Sequence, residues 1–299
     1  MTIESTDTTT ALGSAPIVST VGIVGSGIMG SGLAEVAARA GYRTIVRSRT
    51  QGAADSVLGS IAATLAKQVA RGKLEESERD RILSRLSVTS DLGDLSDCDL
   101  VVESVIEDLE VKKALFADLD QVVKPEAILA TNTSTLAVVN LAVATKRPEN
   151  VCGIHFFNPA PMMKLVEIVR PLTVSDETIA TASAFAKSCG KDVVEVNDRA
   201  GFIVNALLFP YLNNAVRLSE QGTANIADID TAMKGGCNFP MGPFALLDLV
   251  GLDTSVAILD ALYDEFRDPN FSPVPTLRRM VAAGRLGRKS GQGFFDYAS

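Results

Sequence analysis

Tryptophan is absent from this chain of 299 residues, and histidine occurs once. The four cysteines, Cys98, Cys152, Cys189 and Cys237, are scattered and form no Cys-x-x-Cys pair. With one imidazole and no thiol pair the chain lacks the ligands of a zinc site, and no metal is expected. That scatter fits reduced thiols in a cytoplasmic setting better than a disulfide framework. Long apolar runs are missing too. Hydrophobic residues make up 46% of the chain, yet no uninterrupted run approaches the ~20 residues of a membrane span. Positive charge is in deficit: the formal net charge of −8 argues against a nucleic-acid partner, while a local basic pocket for an anion stays possible. Residues 1–16 are rich in Ser and Thr and carry no apolar segment of the kind a secretory signal needs. They are expected to be a disordered lead-in. The remaining length suggests two domains.

What is present centres on Ile154 to Val169, IHFFNPAPMMKLVEIV, which holds His155, the lone histidine. Glu167 follows in LVEIV, an apolar run that alternates like a half-buried strand. The two prolines of the intervening NPAP force a turn that can bring the second run back beside the first. Imidazole titrates near neutrality, and a carboxylate beside it fixes its tautomer and stabilises the imidazolium. The pair therefore reads as a general acid/base. A core histidine held by a backbone carbonyl is the alternative, so the rest of the chain has to decide.

Ile17 to Val24 is β-branched and apolar, and runs into Gly25-Ser26-Gly27-Ile28-Met29-Gly30 and then a helical pattern ending at Gly41. Strand, G-x-G-x-x-G and helix in that order form the dinucleotide fingerprint in its proper context. Gly25 permits the tight turn, Gly27 lets backbone approach a pyrophosphate, and Gly30 lets helix and strand pack closely. Ser26, Ile28 and Met29 fill that turn and are counted with it as cofactor contacts. The next strand, Tyr42 to Arg47, ends where a carboxylate would hold the ribose 2′-hydroxyl of NAD, but the sequence there is Arg47-Ser48-Arg49. Guanidinium groups bind phosphate by charge-assisted hydrogen bonds, so this triplet favours a 2′-phosphate.

Farther on, Ala53 to Arg85 is helical with a break at Arg71-Gly72-Lys73, a longer excursion than an ordinary crossover. Its Lys67, Arg71 and Lys73 can hold an anionic substrate handle or form a solvated face. Strands are expected at Leu86 to Thr89, Leu100 to Glu103 and Ile128 to Thr131. Glu107, Glu110, Lys112 and Lys113 open a helix that runs to Val123. Asn132-Thr133-Ser134-Thr135 follow a strand end, where open α/β sheets bind ligands, although Ser134 can equally cap the next helix. After a helix Asp176 to Cys189 and a strand Asp192 to Val196, the segment Asn197 to Gly201 reads as a hinge. Helices are expected over Phe202 to Gln221, Ile226 to Lys234, Pro243 to Phe266 and Pro275 to Ala283. Asn205 lies in an apolar stripe of the first, where its amide is either structural or directed into the site.

Taken in order, VGIVGSGIMGSGLAEVAARAG, LVVESVIEDLEVKKALFADLD, NTST, HFFNPAPMMKLVEIV, GFIVNALLFPYL, DIDTAMKGG, PMGPFALLDLVGLDT and GRKSGQGFF resemble the short-chain L-3-hydroxyacyl-CoA dehydrogenase family, which includes bacterial 3-hydroxybutyryl-CoA dehydrogenases. The resemblance implies an α/β, Rossmann-type dinucleotide-binding domain over 17–199 and an all-α C-terminal domain over 200–299 that forms a homodimer. It implies His155 as acid/base, Glu167 as its orienting partner, Ser134 bonded to the substrate's 3-oxygen, and Asn205 helping to hold His155. Glu107, Lys112 and Lys289 match positions around the nicotinamide nucleotide, Lys112 also lying near the pantetheine. Thr64 and Arg71 match positions that contact coenzyme A. Ser48 departs from the pattern, since NAD-dependent relatives carry aspartate there, so NADP(H) is expected ahead of NAD(H). The implied reaction interconverts (S)-3-hydroxyacyl-CoA, short-chain as in 3-hydroxybutyryl-CoA, and 3-oxoacyl-CoA. The alternatives are a dehydrogenase of free 3-hydroxy acids or sugar acids, with no need of a coenzyme A grip, and a non-catalytic dinucleotide-binding redox sensor. The sensor has no reason to keep His155, Glu167, Ser134 and Asn205 together.

Overall fold

Strand β1 (Thr20–Val24) is buried along its whole length, as a central parallel strand must be. In the computed structural model, which describes residues 18–297, its alternate side chains serve two different cores. Val21 and Ile23 pack on one face of the sheet and Val24 on the other, the period-2 geometry of an extended chain. The expected disordered lead-in at 1–16 lies outside the described residues. After β1 come α1 (Ile28–Arg39), β2 (Arg43–Arg47), α2 (Gln51–Ala70), α3 (Glu76–Ser84), β3 (Leu86–Thr89), β4 (Leu100–Glu103), α4 (Leu109–Val122) and β5 (Ile128–Thr131). The chain continues through α5 (Val139–Ala142), β6 (Val151–Phe156), β7 (Leu165–Arg170), α6 (Asp176–Ser188) and β8 (Asp192–Asn197).

The eight strands form one sheet in the order β3-β2-β1-β4-β5-β6-β7-β8. Pairs from β3 to β6 are parallel, β7 runs antiparallel to β6, and β8 runs parallel to β7. The order reverses between β1 and β4, and the crevice outside their carboxyl ends is where sheets of this kind bind ligands. The backbones are close there: Ser104 N donates to Val24 O at 2.7 Å, and a side chain on Gly25 would meet Ser104 O at 2.2 Å.

Five further α-helices follow: α7 (Val204–Glu220), α8 (Ile226–Cys237), α9 (Pro243–Val250), α10 (Leu252–Phe266) and α11 (Pro275–Ala282). Phe209, Leu212, Phe244, Leu247, Leu259 and Leu262 form their common core. Two expectations are corrected here. The helix read as Pro243 to Phe266 is two helices, because Gly251 adopts φ +101° and turns the chain between them. The helix read from Phe202 begins at Val204, because Gly201 and Phe202 both hold positive φ, 73° and 49°. A C-terminal turn unseen in the periodicity also folds back on buried Asp248. That carboxylate accepts from Phe294 N and Phe295 N, each at 2.9 Å, and from the Tyr297 hydroxyl at 3.1 Å.

The pairing of β6 with β7 decides which side chains meet across the sheet. Gly153 lies opposite Val169, and His155 lies opposite Glu167. A Cβ on Gly153 would approach the Val169 Cβ to 2.6 Å and its Cγ2 to 2.8 Å, so glycine is what permits this register. Gly153→Ala is expected to cost about 1–3 kcal/mol through overpacking. Thermal unfolding checks it: a Tm equal to that of the parent would show that the strands accommodate the methyl group.

Candidate active site

Directly opposed residues on antiparallel strands share a face of the sheet, and that places Glu167 beside His155. The His155 Nδ1 lies 2.7 Å from Glu167 Oε2. Glu167 is fully buried and His155 is 6% exposed. The second carboxylate oxygen, Oε1, accepts from Ile203 N at 3.1 Å and Val204 N at 3.0 Å. These are N–H groups at the start of α7, which have no partner within the helix. One carboxylate thus binds an imidazole from the sheet and the positive end of a helix dipole. With Nδ1–H donated to Glu167, Nε2 is the nitrogen left to exchange a proton, and it makes no hydrogen bond among the described residues. Phe157 and Phe202 flank the ring at centroid distances of 4.5 and 5.5 Å. Neither aromatic was expected at the site, although Phe157 stands two residues after His155 and Phe202 three before Asn205.

The loop after β5 approaches from the neighbouring strand. Asn132 N donates to Glu103 O at 2.8 Å, and its side-chain Oδ1 accepts from Phe156 N at 2.8 Å. Asn132 therefore ties this loop to the residue after His155. Ser134 does not cap a helix. The free N–H groups of Val138 and Val139 at the start of α5 go to Asp198 instead, at 2.9 and 2.8 Å. Glu107 holds the loop through Ser134 N at 3.2 Å, the Thr135 hydroxyl at 3.3 Å and the Thr133 hydroxyl. Burial works to raise the Glu107 pKa, but Lys112 and these donors outweigh it and hold the carboxyl below its usual range. Lys112 is 1% exposed, with Nζ 3.0 Å from Glu103 Oε1 and 2.8 Å from Glu107 Oε2. It therefore braces this end of the sheet.

A cavity of about 430 Å³ is lined by Met29, Glu107, Lys112, Asn132, Ser134 and Asp253, among others. It joins the glycine turn, the β5 loop and α10. Asp253 is a wall residue with no local signal in the sequence. It accepts from Lys289 Nζ at 2.7 Å, which accounts for the expected lysine in this neighbourhood. Asn205 occupies the second position of α7 and is 8% exposed. No hydrogen bond joins its amide to His155. Glu167 holds the imidazole, and its grip on α7 ends one residue before Asn205.

The glycine turn fits a dinucleotide. A Cβ on Gly27 would meet nothing within 4 Å, and one on Gly30 would strike Gly25 O at 2.1 Å. The first leaves room for a ligand, and the second lets helix and strand touch. Gly27 caps α1 with no side-chain hydrogen bond, so the helix N-terminus stays available to an anion. At the end of β2, Arg47 Nε and Ser48 Oγ are both buried without a partner, while Arg49 is exposed. A second cavity, of about 360 Å³, runs from Ser26 and Gly27 along Ser31 and Glu35 to Ser60 and Thr64 of α2. Arg71 caps the far end of α2 and is exposed, outside this lining. Among the described residues there is no cluster of metal-ligating side chains and no helix long and apolar enough to cross a membrane.

Comparison with known proteins agrees over almost the whole chain. Residues 20–199 match the NAD-binding domain of 3-hydroxyacyl-CoA dehydrogenase, and residues 201–297 match its C-terminal domain. A 3-hydroxybutyryl-CoA dehydrogenase of Mycobacterium tuberculosis is 49% identical over 279 residues, 93% of this chain and 98% of that protein. One from Clostridioides difficile is 46% identical over 275 residues, 92% of this chain and 98% of the other. The crystal structure of (S)-3-hydroxybutyryl-CoA dehydrogenase from Ralstonia eutropha superposes with a TM-score of 0.92 at 38% identity, covering 95% of this chain and 100% of that one.

Proposed function

This chain belongs to the 3-hydroxyacyl-CoA dehydrogenase family, and from that premise we propose that it interconverts short-chain (S)-3-hydroxyacyl-CoA and 3-oxoacyl-CoA. The observation that carries this reading is the buried His155–Glu167 pair at 2.7 Å, beside the cavity that Ser134 shares with the glycine turn. When bound, the nicotinamide supplies or accepts the hydride at the substrate's C3. The remaining work falls to side chains. In oxidation neutral His155 takes the hydroxyl proton at Nε2, and Glu167 stabilises the resulting imidazolium. In reduction protonated His155 delivers that proton to the developing alkoxide. Ser134 and His155 together stabilise negative charge on the 3-oxygen, the logic of an oxyanion hole applied to a ketone. Acid/base help of this kind is worth ~10²–10⁴ in rate.

The cofactor we propose is NADP(H) ahead of NAD(H). Two consecutive polar groups, Arg47 Nε and Ser48 Oγ, are buried and unpaired at the end of β2. Buried polar groups are ordinarily satisfied, and a ribose 2′-phosphate would satisfy both. A carboxylate at Ser48 would instead accept from a ribose hydroxyl and repel that phosphate. A charge-assisted hydrogen bond contributes ~1.5–3 kcal/mol when sheltered, so a single such contact favours NADPH by about tenfold or more.

An isologous homodimer completes the proposal. Leu207 is 71% exposed, and Ile203, Leu218, Phe239 and Leu249 are also exposed on the helical half, apolar surface that a second copy of the chain would cover. The four thiols are free, in keeping with a cytoplasmic setting.

Four outcomes are expected. With acetoacetyl-CoA and free acetoacetate each assayed against NADPH and NADH, the thioester with NADPH should turn over fastest, and His155→Gln should lower kcat at least ~10²-fold with cofactor affinity little changed. Equal turnover of the free acid would point to the hydroxy-acid dehydrogenases instead, and near-normal turnover of the variant would remove the mechanism. Ser48→Asp should shift kcat/KM away from NADPH and toward NADH. A parent that prefers NADH, or a variant of unchanged preference, would sink the cofactor assignment. Light scattering at micromolar concentration should give the mass of a dimer, and a monomer would refute that part.

A further inference from the structure

Glu103 ends β4 and is wholly buried. A carboxylate removed from water in this way is costly unless it is paired and hydrogen-bonded. Its Oε1 accepts from Val105 N at 2.6 Å and lies 3.0 Å from Lys112 Nζ, and its Oε2 accepts from the Thr131 hydroxyl at 2.7 Å. None of its surface is open to the cavity, so Glu103 can affect chemistry only through its neighbours.

Two arms lead away from it, and they meet. Along one, Lys112 passes 2.8 Å to Glu107 Oε2, and Glu107 Oε1 takes Ser134 N at 3.2 Å and the Thr133 hydroxyl. Along the other, the Thr131 oxygen that donates to Glu103 accepts from Thr133 N at 3.2 Å. The contacts close a ring: Glu103, Lys112, Glu107, Thr133, Thr131 and back to Glu103. Ser134 is attached to that ring by its backbone N–H, next to Thr133, which is held at both its N–H and its hydroxyl. The ring carries two carboxylates against one ammonium. Glu107, 37% exposed, faces the cavity, while Glu103 closes the ring from behind.

We infer that Glu103 is a positioning residue that fixes the Ser134 backbone by sharing Lys112 with Glu107; this rests on the reading of Ser134 as the group that bonds the substrate's 3-oxygen. With Glu103 in place, Lys112 is divided between two carboxylates, and Glu107 keeps an oxygen for the loop. Without that charge Lys112 belongs to Glu107 alone and draws it off Ser134 N. The serine then loses the aim that transition-state bonding needs, since displacements on the order of 1 Å can cost ~10²-fold.

The test is a double-mutant cycle on kcat, with cofactor affinity followed separately through the fluorescence of bound NADPH. Glu103→Gln keeps the shape of the side chain and removes its charge. It should lower kcat by about tenfold while the Kd for NADPH stays within about threefold, an effect made in the transition state alone. In the Ser134→Ala background the same substitution should lower kcat no further, because residues acting as a unit are not additive. Thr131→Val breaks the other arm. It should give a smaller loss that also vanishes in the Ser134→Ala background, and it serves if Glu103→Gln does not fold. Losses that add in the double variants, or a kcat unchanged by both Glu103→Gln and Thr131→Val, would overturn the inference. If Ser134→Ala alone turned over at the parent rate, the reading of Ser134 would fail first, and this inference with it.

Discussion

One carboxylate joins the two halves of the molecule at the point where the chemistry is proposed. Glu167 accepts from an imidazole on β6 and from two N–H groups at the start of α7. Buried as it is, it needs all of these donors, and the donors come from segments far apart in the chain. The entry to α7 is shaped to supply its share. Gly201 and Phe202 turn through positive φ, which for a bulky aromatic residue is uncommon. Such a conformation lasts only where its surroundings over-determine it. Here the turn lays the Phe202 ring on His155 and brings the next two N–H groups to the carboxylate. A change in how the helical half meets the sheet is therefore felt at once by the imidazole.

A second constraint runs along the carboxyl edge of the parallel strands. Glu103 and Lys112 are buried charges with no role in forming strands or helices, and their burial is tolerated because each satisfies the other. The same edge offers the free helix end at Gly27 and the unpaired polar groups of Arg47 and Ser48. The fold thus keeps its satisfied charges where a loop must be rigid, and its unsatisfied donors where an anion is proposed to bind. This division is what makes a cofactor reading from the end of β2 reasonable.

Legibility from sequence followed the range of the interaction. The strand–glycine turn–helix unit was visible because it is local: Gly25 and Gly30 each answer to a backbone approach within a few residues or one neighbouring strand, and Gly27 leaves open space between them. His155 and Glu167 were visible because one is unique and the other breaks an apolar alternation. The turn at Gly251 was not, since the helical pattern of PFALLDLVGLDT continues across it and only a positive φ reveals the break. Asp248, Asp253 and Glu103 were also missed. Each draws its meaning from partners distant in sequence, namely Phe294 and Phe295, Lys289, and Thr131. Asn205 was singled out by family likeness as helping to hold His155, and the contacts that reach the imidazole and the start of α7 are those of Glu167.

The antiparallel turn between β6 and β7 is what lets the proposed acid/base pair be added to an otherwise parallel nucleotide-binding sheet. A parallel neighbour requires a crossover of about a dozen residues or more and reaches the sheet from its far end. A short return lets one strand lay a carboxylate directly opposite an imidazole, as Glu167 lies opposite His155. Such an arrangement stands or falls with register, since a slip of one residue would carry Glu167 to the other face of the sheet. Two features resist that slip. Gly153 admits Val169 at a distance no larger residue allows. At the open end, Lys191 sends its ammonium back to Ala160 O at 2.7 Å and Met163 O at 2.8 Å, pinning the return loop to the residue that leads into β8. The loop's Ala160 and Pro161 in turn pack against Gly32 of α1, where a Cβ would meet the Ala160 Cβ at 3.2 Å and the Pro161 Cδ at 3.3 Å. The register that makes the His155–Glu167 pair is thus held from the strand interior and from the helix that follows the dinucleotide turn, so the proposed proton site and the proposed cofactor site are built against the same piece of backbone.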